Sequence, residues 1–287
     1  MKSLNPSPEK TKLGDLVNKI RTSQLSNPSY FDDSLRLVSF VLNINFSQIS
    51  LEHDRVLSLE ELMEIEGFLA RLNQGEPYAY IVGFVDFYHA VIKVNPNVLI
   101  PRYETEILVD KILAKKAHQK KMKVLDLCCG SGAIAIALKK ERPSWEVYAS
   151  DISDQALNLA RENAENNHVD IDFRKGDLFE PFDKDEKFDL IVCNPPYISE
   201  QEYQSLERSV KDYEPKLALT PGVSGLEIYK RIAESIHLHL SRAGCLALEI
   251  GYNQKTPLLE IFFNKSSHIT TEKDYAGLDR FIFLEYQ

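Results

Sequence analysis

The sequence predicts an α/β protein with a mainly parallel sheet covered on both faces, preceded by a small all-helical domain and a β-hairpin. Three observations support this class. Residues 10–75 carry only helical periodicity, residues 76–100 are rich in aromatic and β-branched residues, and from residue 104 helical and strand patterns alternate. We therefore expect three parts, namely a helical domain over 1–75, a β-hairpin linker over 76–100 and a larger domain over 101–287.

The first part reads as amphipathic helices. In TKLGDLVNKIRTSQL the apolar residues Leu13, Leu16, Val17 and Ile20 recur at helical spacing. A second helix, DDSLRLVSFVLNI, follows an Asn-Pro turn. A third begins with the capping box Ser58-x-x-Glu61 and ends at a glycine, Gly75.

The last part alternates between the two patterns, and its segments follow in chain order. We expect strands over 123–128, 146–151, 171–177, 188–193, 244–251, 268–274 and 280–286, and helices over 104–118, 132–142, 153–167, 225–240 and 256–264. Strands separated by helices form a parallel sheet. Only a short connection, with Gly277 and Asp279, separates the last two strands, so this pair should be antiparallel.

Composition excludes several classes of protein. The 287 residues are 44% hydrophobic and 27% charged, with no apolar run of the ~18 residues that span a bilayer. The N-terminal stretch MKSLNPSPEKTKLGD lacks the apolar region of a secretory signal, and the four cysteines fit neither a zinc site nor a disulfide framework. We expect a cytoplasmic monomer without a metal.

The net charge of −9 disfavours direct binding to nucleic acid, because such proteins usually carry a basic field. One basic run, from Lys111 to Lys123, reads as the solvated face of a helix.

A glycine-rich loop follows the first strand of the predicted sheet, in VLDLCCGSGAIAIAL. Gly130 and Gly132 let the backbone approach a ligand, and Asp151 ends the next strand, where a carboxylate can accept hydrogen bonds from ribose hydroxyls. Asp177 ends the third strand. This pattern also satisfies a loose dinucleotide fingerprint. Asp126, just before the loop, would repel pyrophosphate and suits a cationic ligand end, so the pair of Asp126 and Asp151 favours S-adenosylmethionine over NAD.

The fourth predicted strand runs into Asn194, Pro195, Pro196 and Tyr197. Because proline cannot continue a ladder and biases its predecessor to extended geometry, the carbonyl groups of this segment should lack sheet partners. The Asn194 side-chain oxygen and the Pro195 carbonyl could then accept the two N–H groups of a planar amine, with Tyr197 stacked on its plane. Such an array suits the exocyclic amine of a base or a carboxamide, whereas a plain strand-ending turn is the alternative.

In this order, VLDLCCGSGAIA, SDIS, KGDLFEP and DLIVCNPPYI resemble class I methyltransferases that modify planar nitrogens. The stretches EPYAYIVG, VLIPRYETEILVD, VKDYEPKLAL and LEIGYNQ narrow the resemblance to the N(5)-glutamine methyltransferases of peptide chain release factors. The Asn-Pro-Pro-Tyr motif alone is shared with adenine-N(6) DNA methyltransferases. The resemblance extends from about residue 12 to the C-terminus.

This resemblance implies a Rossmann-like fold and methyl transfer from S-adenosylmethionine to the glutamine of the release factor's Gly-Gly-Gln motif, with the N-terminal helices helping to hold that partner. It implies roles for residues that match the family's motifs. Cofactor-loop positions fall on Cys128, Cys129, Gly130, Ser131 and Gly132, the ribose contact on Asp151, the adenine contact on Leu178 after Asp177, and the substrate-amide site on Asn194, Pro195, Pro196 and Tyr197.

The sequence departs from the family at two positions. Cys128 stands where the family has a glycine, so we expect it at negative φ, and Tyr103 replaces a common proline. The second change leaves Arg102 and Glu106 open between a structural ion pair and a substrate contact. We expect Cys193 to be a buried strand cysteine and not a nucleophile.

Three other functions stay open at this point. The first is methylation of a glutamine in a ribosomal protein, which the Asp-Tyr-Glu-Pro stretch disfavours. The second is adenine-N(6) methylation of nucleic acid, which the net charge disfavours. The third is a binding module or a dehydrogenase, neither of which needs Asn-Pro-Pro-Tyr.

Overall fold

The structure is a computed structural model that describes residues 11–23, 28–263, 265 and 268–286. It divides into two compact units, Met1–Val82 and Gly83–Gln287. The N-terminal stretch in which we expect no secretory signal begins outside the described residues, and the turn predicted at Asn27 also lies outside them.

The first unit is helical, as predicted. Its elements are α1 (Leu13–Ser23), α2 (Pro28–Leu42), a short 3-10 helix (Phe46–Ser50), α3 (Leu59–Asn73) and α4 (Tyr78–Val82). The apolar stripe of α1 is buried in the core of this unit. The capping box of α3 is present, since the Glu61 amide donates to Ser58 Oγ at 3.1 Å and the Ser58 amide donates to Glu61 Oε2 at 2.7 Å.

Part of the stretch predicted as short strands is helical instead. Residues Tyr78–Val82 form the single turn of α4. Aromatic and β-branched composition favours strands only where a partner strand is present, and α4 buries Ala79, Tyr80 and Ile81 without one. The domain boundaries that we predicted at residues 75 and 100 stay a prediction. The chain passes from the first compact unit to the second after Val82.

The second unit contains both sheets among the described residues. The small one is a hairpin of β1 (Phe84–Phe87) and β2 (Ala90–Lys93). The large one has seven strands, β3 (Lys123–Leu127), β4 (Glu146–Asp151), β5 (Asp172–Lys175), β6 (Phe188–Cys193), β7 (Leu240–Glu249), β8 (His268–Lys273) and β9 (Asp279–Glu285).

The helices of this unit alternate with the strands of the large sheet. They are α5 (Tyr103–Lys115), α6 (Ala133–Glu141), α7 (Asp154–Asn166), α8 (Glu200–Gln204), α9 (Arg208–Lys211), α10 (Lys216–Leu219), α11 (Glu227–His239) and α12 (Lys255–Phe262). The three short helices α8 to α10 follow the Asn-Pro-Pro-Tyr segment and were not predicted.

The large sheet has the strand order β5-β4-β3-β6-β7-β9-β8, and β9 runs in the direction opposite to the other six strands. This confirms the seven-stranded, mostly parallel sheet with an antiparallel last strand. The central strands β3 and β6 bury residues on both faces, with Leu125 and Ile191 on one face and Val124 and Val192 on the other, as expected for a sheet covered by helices. Each such side chain contributes about 1.5–3 kcal/mol of burial free energy.

The strand order reverses between β3 and β6. The chain proceeds outward from β3 to β5 and then returns to place β6 on the other side of β3. Ligands of open α/β sheets bind at such a point, outside the carboxyl ends of the strands. The glycine-rich loop after β3 and Asn194 after β6 therefore flank one crevice.

The hairpin is tied to α7 through one buried side chain, that of Asn163. Its Oδ1 accepts from the Lys93 amide at 2.8 Å, and its Nδ2 donates to the Lys93 carbonyl at 3.0 Å. The same Nδ2 donates to the Ser131 carbonyl at 3.0 Å. The hairpin thus belongs structurally to the second unit.

Neither a membrane-crossing helix nor a metal-binding cluster is present in the described part of the chain. None of its helices is long and apolar enough to cross a membrane. Within the same residues, no three His, Cys, Asp or Glu side chains are grouped so that they could hold a metal ion.

Candidate active site

A cavity of about 560 Å³ opens at the carboxyl ends of β3, β4 and β6. This volume is typical of small-molecule sites. Ten of the residues singled out from the sequence line it, namely Arg102, Cys128, Cys129, Gly130, Ser131, Asp151, Asp177, Leu178, Asn194 and Pro196. Four others, the described residues Asp126, Gly132, Pro195 and Tyr197, lie outside its wall.

The loop after β3 turns through left-handed backbone conformations. Cys128 has φ 57°, Gly130 has φ 54° and Gly132 has φ 79°. The expectation of a negative φ at Cys128 is therefore wrong. The turn that joins β3 to α6 places this position in the left-handed region, which a side chain with a Cβ adopts at a cost of about 1–2 kcal/mol.

The two glycines of this loop serve different purposes. A Cβ added to Gly130 would meet no described atom within 4 Å, so this position leaves open space beside the cavity. A Cβ on Gly132 would lie 3.2 Å from Ala160 Cβ, where α6 and α7 pack closely. Gly130 therefore leaves space free beside the cavity, whereas the lack of a side chain at Gly132 lets α6 and α7 pack closely.

Asp126 is buried beneath the loop, with 1% of its surface exposed. Its Oδ2 accepts from the Ala135 amide at 3.1 Å, while its Oδ1 has no hydrogen-bond partner among the described residues. Burial, together with the charge of Asp151, raises the pKa of Asp126 to about 8. A buried carboxylate oxygen without a donor is costly, so the site suits a ligand that brings a hydrogen-bond donor or a positive charge.

Asp151 ends β4 on the wall of the cavity. Its Oδ2 accepts from the Gly130 amide at 2.9 Å, and its Oδ1 accepts from the Ser153 amide at 2.9 Å. Burial raises the pKa of this carboxyl above its usual range, against the lowering effect of the backbone amides of Ser153, Gly130 and Ile152. The side chain is thus held rigidly, and it ties the glycine-rich loop to β4.

Asp177 and Leu178 follow β5. Asp177 forms an ion pair with Arg231 of α11 at 2.9 Å, and both residues line the cavity. Leu178 has φ 55°, and its carbonyl accepts from Ser150 Oγ at 3.3 Å, so the side chain is fixed against the core.

The Asn194 side chain is anchored from α5. Its Nδ2 donates to Thr105 Oγ1 at 3.1 Å, and Thr105 Oγ1 donates to Glu249 Oε2 at 2.7 Å. Within the described residues nothing donates to Asn194 Oδ1, which is the end of the amide that remains to accept a hydrogen bond.

In the extended segment after Asn194, one backbone carbonyl is hydrogen-bonded within the protein and another is not. The Tyr197 carbonyl accepts from Gln254 Nε2 at 2.8 Å, while the Pro195 carbonyl has no donor among the described residues. The Tyr197 hydroxyl points to Glu249, with Oη 3.5 Å from Oε1. Of the carbonyls expected to be free, that of Tyr197 is used internally and that of Pro195 is not.

Arg102 forms an ion pair with the buried carboxylate of Glu214, which also accepts from the Ile100 amide at 3.1 Å. Glu106 instead accepts from the Tyr88 amide at 3.0 Å. Both residues therefore make structural contacts inside the second unit. Arg102 also lines the cavity, so the choice between a purely structural ion pair and a substrate contact stays open. Cys193 is fully buried, and burial raises the pKa of its thiol well above the usual range, so it is a poor nucleophile.

Sequence reasoning missed four polar residues that support this site, Thr105, Glu214, Glu249 and Gln254. They lie in the stretches that narrowed the family resemblance, VLIPRYETEILVD, VKDYEPKLAL and LEIGYNQ. Their presence in those stretches was the signal in the sequence that could have identified them. The contacts between them join distant parts of the chain, so local patterns do not report them.

Comparison with known families gives two matches. The Methyltransferase small domain family matches residues 103–217, and the PrmC N-terminal domain family matches residues 22–83.

Similar proteins were found among curated sequences. A protein of Chlamydia trachomatis named release factor glutamine methyltransferase is 44% identical over 245 residues, which cover 85% of this chain and 84% of that protein. Proteins of the same name from Streptococcus pneumoniae and Thermodesulfovibrio yellowstonii are 42% and 36% identical, the latter over 96% of both chains.

Among solved structures, a crystal structure of the hMettl16 catalytic domain in complex with a MAT2A 3′UTR hairpin has a TM-score of 0.57. It is 17% identical and covers 82% of this chain and 85% of that one. At this identity the likeness extends to the fold alone.

Proposed function

The chain belongs to the release factor glutamine methyltransferase family, and on that premise we propose that it methylates the glutamine side chain of peptide chain release factors. The target is the amide nitrogen of the glutamine in the Gly-Gly-Gln motif, and the methyl donor is S-adenosylmethionine. The observation that carries the proposal is a pair of acceptors at the end of β6, Asn194 Oδ1 and the Pro195 carbonyl, to which none of the described residues donates a hydrogen bond.

The residues on the other side of the cavity fit the methyl donor. S-adenosylmethionine, when bound, supplies a methyl group on a positively charged sulfur. The orphaned Oδ1 of Asp126 suits the ligand's cationic end, Asp151 suits its ribose hydroxyls, and Leu178 with Asp177 suits its adenine. The open space at Gly130 leaves room for a ligand to approach the backbone.

At the substrate-amide site, next to Asn194, the protein has to activate a poor nucleophile. A carboxamide nitrogen is a weak nucleophile because its lone pair is delocalised into the carbonyl. The two acceptors, Asn194 Oδ1 and the Pro195 carbonyl, would take one N–H each and so favour the positive charge that develops on nitrogen during transfer. Tyr197 would flank the amide plane.

Positioning of the bound amide against the methyl group supplies the remaining rate enhancement, because two groups held together react as if at very high concentration. Once methylated, the nitrogen is strongly acidic and gives up a proton readily, so a dedicated base is not required.

We assign the holding of the release factor to the helical first unit, which the PrmC N-terminal domain family matches. The proposed reaction takes place in the cytoplasm, and we expect a monomer to carry it out.

The test uses the purified chain, methyl-labelled S-adenosylmethionine and a release factor. Label should enter the release factor and should be lost when the Gly-Gly-Gln glutamine is changed to alanine. Labelling of an oligonucleotide or of a ribosomal protein, with an unlabelled release factor, would overturn the proposal.

A further inference from the structure

A buried carboxyl group lies directly behind the amide site. Glu249 is the last residue of β7, next to the end of β6, and only 1% of its surface is exposed. Among the described residues it has no Lys, Arg or His partner within ion-pair distance. Buried carboxylates without such a partner are costly, so their retention calls for a reason.

The hydrogen bonds of Glu249 lead to two residues of the site. Its Oε2 accepts from Thr105 Oγ1 at 2.7 Å, and its Oε1 lies 3.5 Å from the Tyr197 hydroxyl. Thr105 in turn accepts from Asn194 Nδ2 at 3.1 Å. The backbone of Glu249 is fixed as well, because its carbonyl accepts from the Tyr229 hydroxyl at 2.7 Å.

While Glu249 is ionised, the donor and the acceptor of each hydrogen bond from Asn194 through Thr105 to Glu249 are fixed. An ionised carboxylate can only accept, so Thr105 must use its single hydroxyl proton on Glu249. The Thr105 oxygen is then left to accept, and only the nitrogen end of the Asn194 amide can donate to it. The oxygen end of Asn194 is consequently the end left for the substrate.

We propose that Glu249 and Thr105 are positioning residues of the transfer reaction, which together set the orientation of the Asn194 amide so that its oxygen receives the substrate N–H. The inference rests on the proposed function. The orientation of the Asn194 side chain at the end of β6 is thus set by Glu249 of β7 and Thr105 of α5. Glu249 acts without lining the cavity.

Protonation of Glu249 removes this enforcement. A protonated carboxyl can donate to Thr105, whose hydroxyl is then free to donate to Asn194, so either orientation of the amide becomes possible. Burial raises the pKa of Glu249 to about 7. The groups that face it are Arg280 of β9, Glu104 of α5 and the hydroxyls of Tyr197 and Tyr229.

The central experiment compares Thr105→Val, which keeps the shape and removes the hydroxyl, with Thr105→Ser, which keeps the hydroxyl. Both full-length variants are assayed with a release factor for kcat and KM, and for S-adenosylmethionine affinity by calorimetry. We expect Thr105→Val to lower kcat by about 10- to 100-fold, the range found when hydrogen-bond partners that orient metal ligands are removed, with donor affinity within about twofold.

Thr105→Ser should recover most of that loss. Thr271→Val, on β8 near the sheet edge, is a matched control for the exchange itself and should leave kcat unchanged.

A pH profile gives the second readout. Wild-type kcat should fall on the acid side of about pH 7, and Glu249→Gln should abolish this limb because glutamine does not titrate. A purely structural role for Glu249 would lower stability without moving the limb.

The outcomes separate the two proposals. A wild-type protein that labels no release factor overturns the proposed function and this inference with it. An active wild type with Thr105→Val at full kcat, equal losses in Thr105→Val and Thr105→Ser, or an acid limb that persists in Glu249→Gln overturns the inference alone.

Discussion

The two ends of the cavity are built in different ways. The end proposed to hold the methyl donor is a continuous piece of backbone, residues 126–132, which Asp151 of the adjacent strand braces through a hydrogen bond to Gly130. The end proposed to hold the substrate amide, at Asn194, is assembled from side chains far apart in sequence, since Thr105 and Glu249 are separated by 144 positions. A ligand of fixed shape can be held by a local loop, whereas one oriented acceptor needs a network across the sheet.

This contrast predicts that the amide end governs turnover and the donor end governs affinity. The largest expected effect is that of Asn194→Ala, which removes one of the two aimed acceptors. We expect kcat to fall by about 100-fold or more, as for loss of one charge-stabilising group in other active sites, with donor affinity retained. Steady-state kinetics with calorimetry measures both. Near-normal turnover in Asn194→Ala would contradict the proposal that the amide site governs kcat.

At the donor end, Asp151→Ala should mainly weaken S-adenosylmethionine binding. Loss of hydrogen bonds to a charged group costs about 1.5–3 kcal/mol, which is about 10- to 100-fold in Kd. Asp154→Ala is the control, because Asp154 is an exposed residue of α7 paired with Lys175. An unchanged Kd in Asp151→Ala would remove Asp151 from the donor site.

A pH titration of donor affinity sharpens the role of Asp126. In the free protein the carboxyl holds its proton up to about pH 8, and a cationic ligand favours the ionised form. Affinity should therefore rise between pH 6 and pH 8, by at most about tenfold per unit. Asp126→Asn should flatten this rise. Equal slopes in the two proteins would place the ligand's cationic end elsewhere.

The smallest expected effect concerns the backbone of the donor loop. Cys128→Gly and Cys128→Ala both remove the thiol, but only glycine relieves the left-handed φ of 57°. After the entropy of glycine is subtracted, Cys128→Gly should be more stable by about 0.5–1 kcal/mol. Chemical denaturation measures the difference. If Cys128→Ala is the more stable of the two, the loop does not require that conformation.

The same contrast explains what the sequence could reveal. The loop after β3 could be recognised as a turn between a strand and a helix because strand, glycines and helix are contiguous in the chain, whereas its contact with the methyl donor stays a prediction. The seven strands and the antiparallel last strand followed from alternation and from one short connection. The bonds from Glu249 through Thr105 to Asn194 could not be predicted, because no local periodicity reports a contact between residues on β7 and α5.

Two local errors have physical causes. Cys128 was expected at negative φ from its own preference, but the turn that joins β3 to α6 outweighs a penalty of about 1–2 kcal/mol. Residues Tyr78–Val82 were expected to be extended from their composition, but without a partner strand they form a helical turn. In both places the surroundings decided the conformation.

Asn163 shows that the hairpin and the donor loop are not independent modules. Its side chain makes three hydrogen bonds, two to the backbone of Lys93 and one to that of Ser131. Aspartate would lose both bonds donated by the nitrogen, and leucine would lose all three. A designer who grafted a different hairpin onto this sheet would therefore have to keep the Lys93 backbone in register, or rebuild the loop at the same time.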